Sequence, residues 1–141
     1  MGKRAAGPEH LTTTIKSYII RLRQDEEGAD IVMTRRFIYT EPFRRCWKAM
    51  GLDDDSLIQL ETVLLRNPQL GDVIEGTGGA RKMRIRLEGR GKRGGGRVIY
   101  LDVLEHEDLY LLFAYPKNVQ DDLTPDQKKA IRTMVEMIRK G

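Results

Sequence analysis

The segment KMRIRL, residues 82–87, is the most informative stretch of the sequence, and it lies between two glycine-rich stretches. Apolar residues and cations alternate along it: Met83, Ile85 and Leu87 against Lys82, Arg84 and Arg86. A period of two places successive side chains on opposite faces of a β-strand. The segment therefore predicts a strand with one buried face and one face lined by positive charge.

Two further strands are predicted after this segment, over residues 97–103 and 109–115. A polar turn at residues 105–108 joins them. The three strands predict an antiparallel meander. Before it, residues 36–39 predict a short additional strand, so the sheet is small and draws on both halves of the chain.

Two short helices are predicted between the first strand and the meander, and one at the end of the chain. Apolar residues recur at helical spacing in all three: Phe43, Cys46, Trp47 and Met50; Leu57, Leu60 and Leu64; Ile131, Met134, Val135 and Ile138. Thr40, Glu41 and Pro42 have the residue types of a helix start, and Asn67 and Pro68 end the second helix. Thr124 to Gln127 has the pattern of a capping box, and the acids 53–55 and 121–122 are interpreted as helix caps. The order strand, helix, helix, three strands, helix predicts an α+β fold, a small antiparallel β-sheet packed by helices.

The chain of 141 residues has the size of one domain. We interpret residues 1–31 as an N-terminal extension with a short helix over residues 15–24, and residues 32–141 as the folded domain. Met33 opens a more regular pattern and is a candidate alternative start of translation.

Composition excludes several classes of protein. Hydrophobic residues make up 40% and charged residues 33%, which fits a globular chain rather than a disordered or collagen-like one. The longest apolar run, residues 109–115, is far short of the roughly 20 residues that a membrane helix needs. No secretory pattern follows Met1, so we expect a cytoplasmic protein with no membrane partner. With one cysteine (Cys46) and two histidines (His10 and His106), we expect no disulfide, metal or cofactor.

Positive charge is concentrated in one region. The formal net charge is +4, yet residues 81–97 hold eight basic residues against one acid, Glu88. Such a stripe is typical of a site for a polyanion, most often nucleic acid. Lys82, Arg84 and Arg86 on one strand face, with Arg97 from the next strand, predict cations that converge on a phosphate.

Two other features, a glycine pattern and a histidine, give weaker evidence of function. Gly89, Gly91 and Gly94 spell GxGxxG, but a dinucleotide-binding loop follows a strand and opens a helix, whereas this one joins two strands. His106 falls in a polar turn among acids, so a solvated histidine is the simpler interpretation. We therefore interpret the glycine run as a cationic hairpin loop.

The stretches NPQLGDVIEGTGGARKMRIRLEGRGKRGGGRVIYL (67–101) and YLLFAYPKNVQDDLT (110–124) resemble the RelE/ParE superfamily of toxins from type II toxin–antitoxin systems, and most closely its HigB-like branch. The resemblance covers about residues 35–141. It implies a RelE-like fold and an mRNA interferase, an endoribonuclease that cleaves messenger RNA in the ribosomal decoding site. In that mechanism the RNA 2′-hydroxyl is the nucleophile.

The resemblance also implies site residues. The catalytic set falls on Lys82, Arg84, Arg97 and Lys117. Lys82 or Arg84 would act in proton transfer or charge stabilisation, and Arg97 would hold the scissile phosphate. Implied contacts to RNA or the ribosome fall on Arg81, Arg86, Arg90, Lys92 and Arg93. RelE proper has a tyrosine after the last basic residue; here Asn118 follows Lys117, and Tyr115 is the nearest tyrosine.

The implied partners are messenger RNA, the 70S ribosome and a HigA-like antitoxin with a helix-turn-helix. Two alternatives stay open. The ParE branch of the superfamily inhibits gyrase and is not a ribonuclease. A non-catalytic relative would only bind RNA.

Overall fold

The computed structural model of the protein describes residues 14–86 and 95–141. Its elements in chain order are β1 (Thr14–Gln24), β2 (Asp30–Tyr39), α1 (Glu41–Ala49), α2 (Asp54–Arg66), β3 (Asp72–Val73), β4 (Arg81–Ile85), β5 (Gly96–Val103), a 3-10 turn (Leu104–His106), β6 (Asp108–Pro116) and α3 (Pro125–Lys140). None of the helices in these two ranges is long and apolar enough to cross a membrane.

The strands form one six-stranded sheet in the order β1-β2-β6-β5-β4-β3. Strands β4, β5 and β6 are the predicted antiparallel meander. One junction, between β2 and β6, is parallel. The predicted α+β class is confirmed, with a sheet that is wider than expected because β1 and the two-residue β3 extend its edges.

The predicted helix over residues 15–24 is wrong, because this segment is strand β1. It pairs antiparallel with β2 along almost its whole length, with one irregularity between Arg21 and Arg23. Tyr18 packs edge-on against Phe37 with ring centroids 5.6 Å apart. The apolar residues here are mostly β-branched or aromatic, types that favour a pleated surface, and pairing with β2 satisfies the backbone of both strands.

Helices cover both faces of the sheet. Helices α1 and α2 pack on one face, where Phe37, Tyr100 and Leu109 are buried with the helical residues Trp47 and Leu64. Helix α3 packs on the other face through its buried residues Ile131 and Val135. The sheet thus lies between two helical layers, and its central strands β5 and β6 are almost fully buried.

The helix boundaries follow the predicted caps. Thr40 caps α1, Asp53 caps α2 through Ser56, and α2 ends before Asn67. Thr124 and Gln127 form the predicted capping box at the start of α3. Each side chain satisfies a backbone N–H that the first helical turn leaves without a partner, so these boundaries are set locally.

Strand β1 also supplies polar partners to the core. The Glu61 carboxylate on α2 is 1% exposed; it accepts a hydrogen bond from the Tyr18 hydroxyl and lies 3.0 Å from Lys16 Nζ. On β2, the buried Arg35 donates to Asp102 at 2.7 Å. Buried charges need such partners, so β1 and β2 are tied to the helices and to β5 by specific contacts.

Candidate functional site

The basic face of the sheet begins on β4. Met83 is buried beneath α1 and α2, and Ile85 packs against the same core. Because side chains alternate along a strand, Lys82 and Arg84 project from the opposite face, the one on which α3 lies. The predicted separation of apolar and cationic faces is confirmed for residues 82–85.

Strand β5 places Arg97 beside these cations. In the antiparallel register, Arg84 pairs with Arg97, and Arg97 pairs in turn with Tyr115 on β6. Directly paired residues lie on the same face of a sheet. The three side chains therefore form a row across β4, β5 and β6.

A cleft of about 520 Å³ opens over Arg84 and Arg97 in this row. Its lining residues are Leu70, Gly71, Asp72, Lys82, Met83, Arg84, Arg97 and Asp121. The structure thus brings together three of the four predicted catalytic residues in one cavity. Two arginines in a shallow cleft supply donors in a geometry that suits phosphate oxygens.

Arg97 is the most buried cation of the cleft, with 8% of its surface exposed. Its Nη1 atom donates to the carbonyl oxygen of Gly96 at 3.0 Å. Within the ranges that the structure describes, no carboxylate lies within 4.0 Å of its guanidinium group. A buried guanidinium group with several N–H donors left over is poised to bind an anion.

Lys82 has a partner that the sequence did not predict. Its Nζ atom lies 3.0 Å from Oδ1 of Asp122. The hydrogen bond and the charge of Lys82 hold the pKa of Asp122 below its usual value. The interpretation of Asp122 as a helix cap is therefore wrong, since Thr124 caps α3 and the Asp122 carboxylate reaches across to β4.

Two more acids reach the cleft. Asp72 on β3 pairs in register with Lys82, and Asp121 lines the cavity beside Arg84 and Arg97. The cleft is thus less positive than the basic stripe of the sequence suggests. Sequence reasoning missed these acids, although one signal was available: Thr124 has the better pattern for a cap, which leaves residues 121 and 122 free for another role.

Tyr115 lies at the end of the row next to Arg97. It is 3% exposed, and its hydroxyl has no hydrogen-bond partner among the described residues. Burial raises the pKa of Tyr115, and the charge of Asp122 raises it further. Because the ring is buried, Tyr115 offers a poor surface on which to stack a base.

The remaining predicted residues are spread around the cleft. Lys117 follows β6 and is half-buried; its backbone N–H donates to Gly95 at 2.9 Å, at the end of the sheet where β5 begins. Arg81 lies on the other face of β4, where its Nη1 atom donates to the carbonyl oxygens of Gly71 (2.7 Å) and Gln69 (3.3 Å). Arg86 is exposed just beyond β4. The structure does not place Lys117, Arg81 or Arg86 in the cleft.

Three predicted RNA or ribosome contacts, Arg90, Lys92 and Arg93, lie outside the described residues. The glycine run that holds the GxGxxG pattern lies largely outside them too. The part of the site that the structure describes is therefore formed by β4, β5, β6 and the segment before α3.

Fold and cleft define a small α+β protein whose sheet carries a cationic site suited to a phosphate-bearing ligand. A family model described as the RelE toxin of the RelE/RelB toxin–antitoxin system matches residues 35–140, more than half of the chain. The chain therefore belongs to the RelE toxin family. Among solved structures, it is similar to a double-arginine mutant of the E. coli toxin RelE in the free state, with 17% identity, a TM-score of 0.41, and coverage of 60% of this chain and 85% of that chain.

Family membership confirms the resemblance at the level of RelE toxins. Assignment to the HigB-like branch stays a prediction. Residues 14–34, which form β1 and half of β2, lie before the matched range.

Proposed function

We propose that this toxin is an mRNA interferase, an endoribonuclease that cleaves messenger RNA on the ribosome and so inhibits translation. The observation that carries the proposal is Arg97, a buried guanidinium group that lines a cleft with Lys82 and Arg84 and has no carboxylate within 4.0 Å among the described residues. A scissile phosphate would supply the anion that this arrangement lacks.

The proposed reaction is an in-line transesterification. The RNA 2′-oxygen attacks the adjacent phosphorus and gives up its proton to a base, while the bond from phosphorus to the 5′-oxygen breaks and that oxygen takes up a proton. The products are a cyclic phosphate and a 5′-hydroxyl end. Negative charge builds up on the phosphoryl oxygens in the transition state, where fixed cations stabilise it.

The residues of the cleft divide this work between them. Arg97 is the phosphate clamp, because it is buried and held by Gly96. Arg84 is paired beside it and stabilises the same charge. Lys82 is the proposed proton-transfer group. Lys117 does not line the cleft, and we propose that it completes the site from the end of β6. The fixed positive charges of Arg97 and Arg84 supply the charge stabilisation, so the proposed reaction needs no metal or other cofactor.

The proposed partners are the messenger RNA, the 70S ribosome and an antitoxin. Family membership implies an antitoxin, and we propose a HigA-like protein with a helix-turn-helix. The ribosome would hold the messenger in line for attack, which explains how a small cleft with no histidine in its lining could act on RNA. Arg86, Arg90, Lys92 and Arg93 are proposed contacts to RNA or the ribosome. We propose a cytoplasmic site of action, where translation occurs.

Cleavage of a defined messenger by the purified protein tests this function. Cuts are mapped by primer extension with and without programmed ribosomes. We expect cuts that require ribosomes and fall by about 100-fold or more in Arg97→Ala, the usual scale for removing a donor that stabilises a transition state. Arg132→Ala is the matched control, since Arg132 is exposed on α3 and pairs only with Glu136 among the described residues.

Each of the other outcomes indicates a different class of protein. Cuts without ribosomes would make the protein a free ribonuclease. If a folded wild-type protein makes no cuts, inhibition of gyrase supercoiling and RNA binding are measured next, as the ParE-like and non-catalytic alternatives require. Thermal unfolding of Arg97→Ala separates loss of activity from loss of fold.

A further inference from the structure

The segment between β6 and α3 carries two acids to the proposed phosphate site. Asp121 lines the cleft beside Arg84 and Arg97, and Oδ1 of Asp122 lies 3.0 Å from Lys82 Nζ. Lys82 and Asp122 are 40 positions apart in the chain, so only the fold brings them together. The carboxylate of Asp122 therefore forms an ion pair with Lys82, one of the cations on which the proposed reaction depends.

The position of Asp122 is built by neighbouring hydrogen bonds. Nε2 of Gln120 donates to the carbonyl oxygen of Asp122 at 2.7 Å and to Oε1 of Gln127 at 2.7 Å. Gln127 in turn belongs to the capping box of α3 with Thr124. The backbone of Asp122 is thus fastened to the start of α3, and its carboxylate also accepts from the Leu123 N–H at 3.2 Å.

The contact is well placed but open to water. The side chain of Asp122 is 73% exposed and that of Lys82 is 31% exposed. Exposed ion pairs are weak because water screens them and solvates both partners. An anion that binds Lys82 together with Arg84 and Arg97 can therefore displace Asp122, whereas an anion that reaches Lys82 alone gains little over the carboxylate already present.

We propose that Asp122 is an internal competitor of the substrate phosphate: its carboxylate occupies Lys82 in the free protein and is displaced when RNA binds the cleft. The proposal rests on the proposed function, because it takes the cleft to be the RNA site. It makes Asp122 a residue that lowers the affinity for RNA and selects for ligands that contact several cations at once.

Binding of an uncleavable RNA tests the competitor directly. The probe is a short single-stranded 2′-O-methyl oligoribonucleotide, which lacks the nucleophilic hydroxyl, and binding is followed by fluorescence anisotropy. Asp122→Asn keeps the shape of the side chain and an oxygen for Leu123, but removes the negative charge. We expect its Kd to fall by about twofold to fivefold, the scale of an exposed ion pair.

Two controls separate the effect of the Lys82–Asp122 ion pair from the effect of net charge. Glu105→Gln makes the same change in net charge in the 3-10 turn, at the opposite end of β5 from Arg97, so its effect measures general electrostatic attraction. Lys82→Met removes the cation, and in that background Asp122→Asn should give no gain beyond that of Glu105→Gln. Thermal unfolding of each variant confirms that it is folded.

Three results would contradict the proposal that Asp122 competes with the substrate phosphate. If Asp122→Asn binds the RNA no more tightly than Glu105→Gln does, the carboxylate does not compete. If Asp122→Asn binds the RNA more weakly than wild type, Asp122 orients Lys82 instead. Absence of RNA binding in every variant would also contradict it. Failure of the proposed function looks different: RNA binding and the gain in Asp122→Asn persist, but wild type makes no ribosome-dependent cuts.

Discussion

Glu61 is an ionisable side chain held almost entirely out of water, and two residues of β1 partner it. The Tyr18 hydroxyl donates to one carboxylate oxygen, and Lys16 lies 3.0 Å from the other. A buried carboxylate without such partners would be costly. Lys16 and Tyr18 thus stabilise the buried charge of Glu61 on α2, although the sequence pattern assigns both residues to an extension.

The same contact predicts how stability depends on pH. Burial, with the hydrogen bond and charge of Glu61, raises the pKa of Tyr18 from 10.0 to about 12. Between these values the unfolded phenol loses its proton while the folded one keeps it. The stabilising contribution is therefore complete below about pH 10 and is lost as the pH rises towards 12.

Denaturant unfolding across this pH range measures the effect. We expect the free energy of unfolding to fall from pH 10 to pH 12, and to fall less steeply in Tyr18→Phe. The comparison with the variant is necessary because burial also raises the pKa of Tyr100, Tyr110 and Tyr115. Equal slopes in the two proteins would contradict the role assigned to Tyr18.

At the scale of elements, the β4–β5 pair positions the proposed site, and Gly95 lies where β5 approaches β4. Its φ of +54° is in the left-handed region, and a Cβ atom there would lie 2.2 Å from the carbonyl oxygen of Ile85. No real side chain tolerates such a contact with backbone. Any larger residue must therefore shift the backbone where β5 meets β4, two residues from Arg97 and its partner Arg84.

Gly95→Ala should therefore lower both stability and cleavage. We expect a loss of about 2–4 kcal/mol in the free energy of unfolding, measured by denaturant titration, together with reduced cleavage by the folded fraction. Gly28→Ala is the matched control: its φ is +87°, but nothing lies within 4 Å of the added Cβ. Its smaller loss gives the cost of the backbone conformation alone, and equal losses would mean that the clash is relieved elsewhere.

At the scale of the whole molecule, the question is whether residues 32–141 fold alone, as the boundary drawn from the sequence predicts. Removing residues 1–31 would take away β1, uncover Phe37 and deprive Glu61 of Tyr18 and Lys16. The contacts therefore lead us to expect that the shortened chain is destabilised. Loss of a buried charge's partner typically costs about 3–5 kcal/mol.

Expression of residues 32–141 and thermal unfolding of the product check this expectation. Glu61→Gln in the shortened chain should recover part of the loss, because an amide is cheaper than a carboxylate to leave without its partners. A shortened chain as stable as the full one would instead confirm the boundary at residue 32 and make β1 an appendage.

Local pattern and long-range contact account for different parts of these results. The alternation of residues 82–85, the caps at Thr40, Asp53 and Thr124, and the meander were predictable because each depends on residues close together in sequence. Arg97 was predictable because adjacent strands of a meander place their cations side by side. Strand β1 was missed because its spacing also fits a helix, and only pairing with β2 decides between them.

The α+β class, the starts of the three helices and the neighbouring cations Lys82, Arg84 and Arg97 could be predicted from the amino-acid sequence alone, since periodicity and capping are local properties. The folded chain was needed to show that Arg81 turns away and binds the backbone of Gly71, that Asp122 pairs with Lys82, and that β1 completes the core around Glu61. The physical reason is distance along the chain: these contacts join residues 10, 40 and 43 positions apart, and no local pattern encodes which distant groups the packed sheet will bring together.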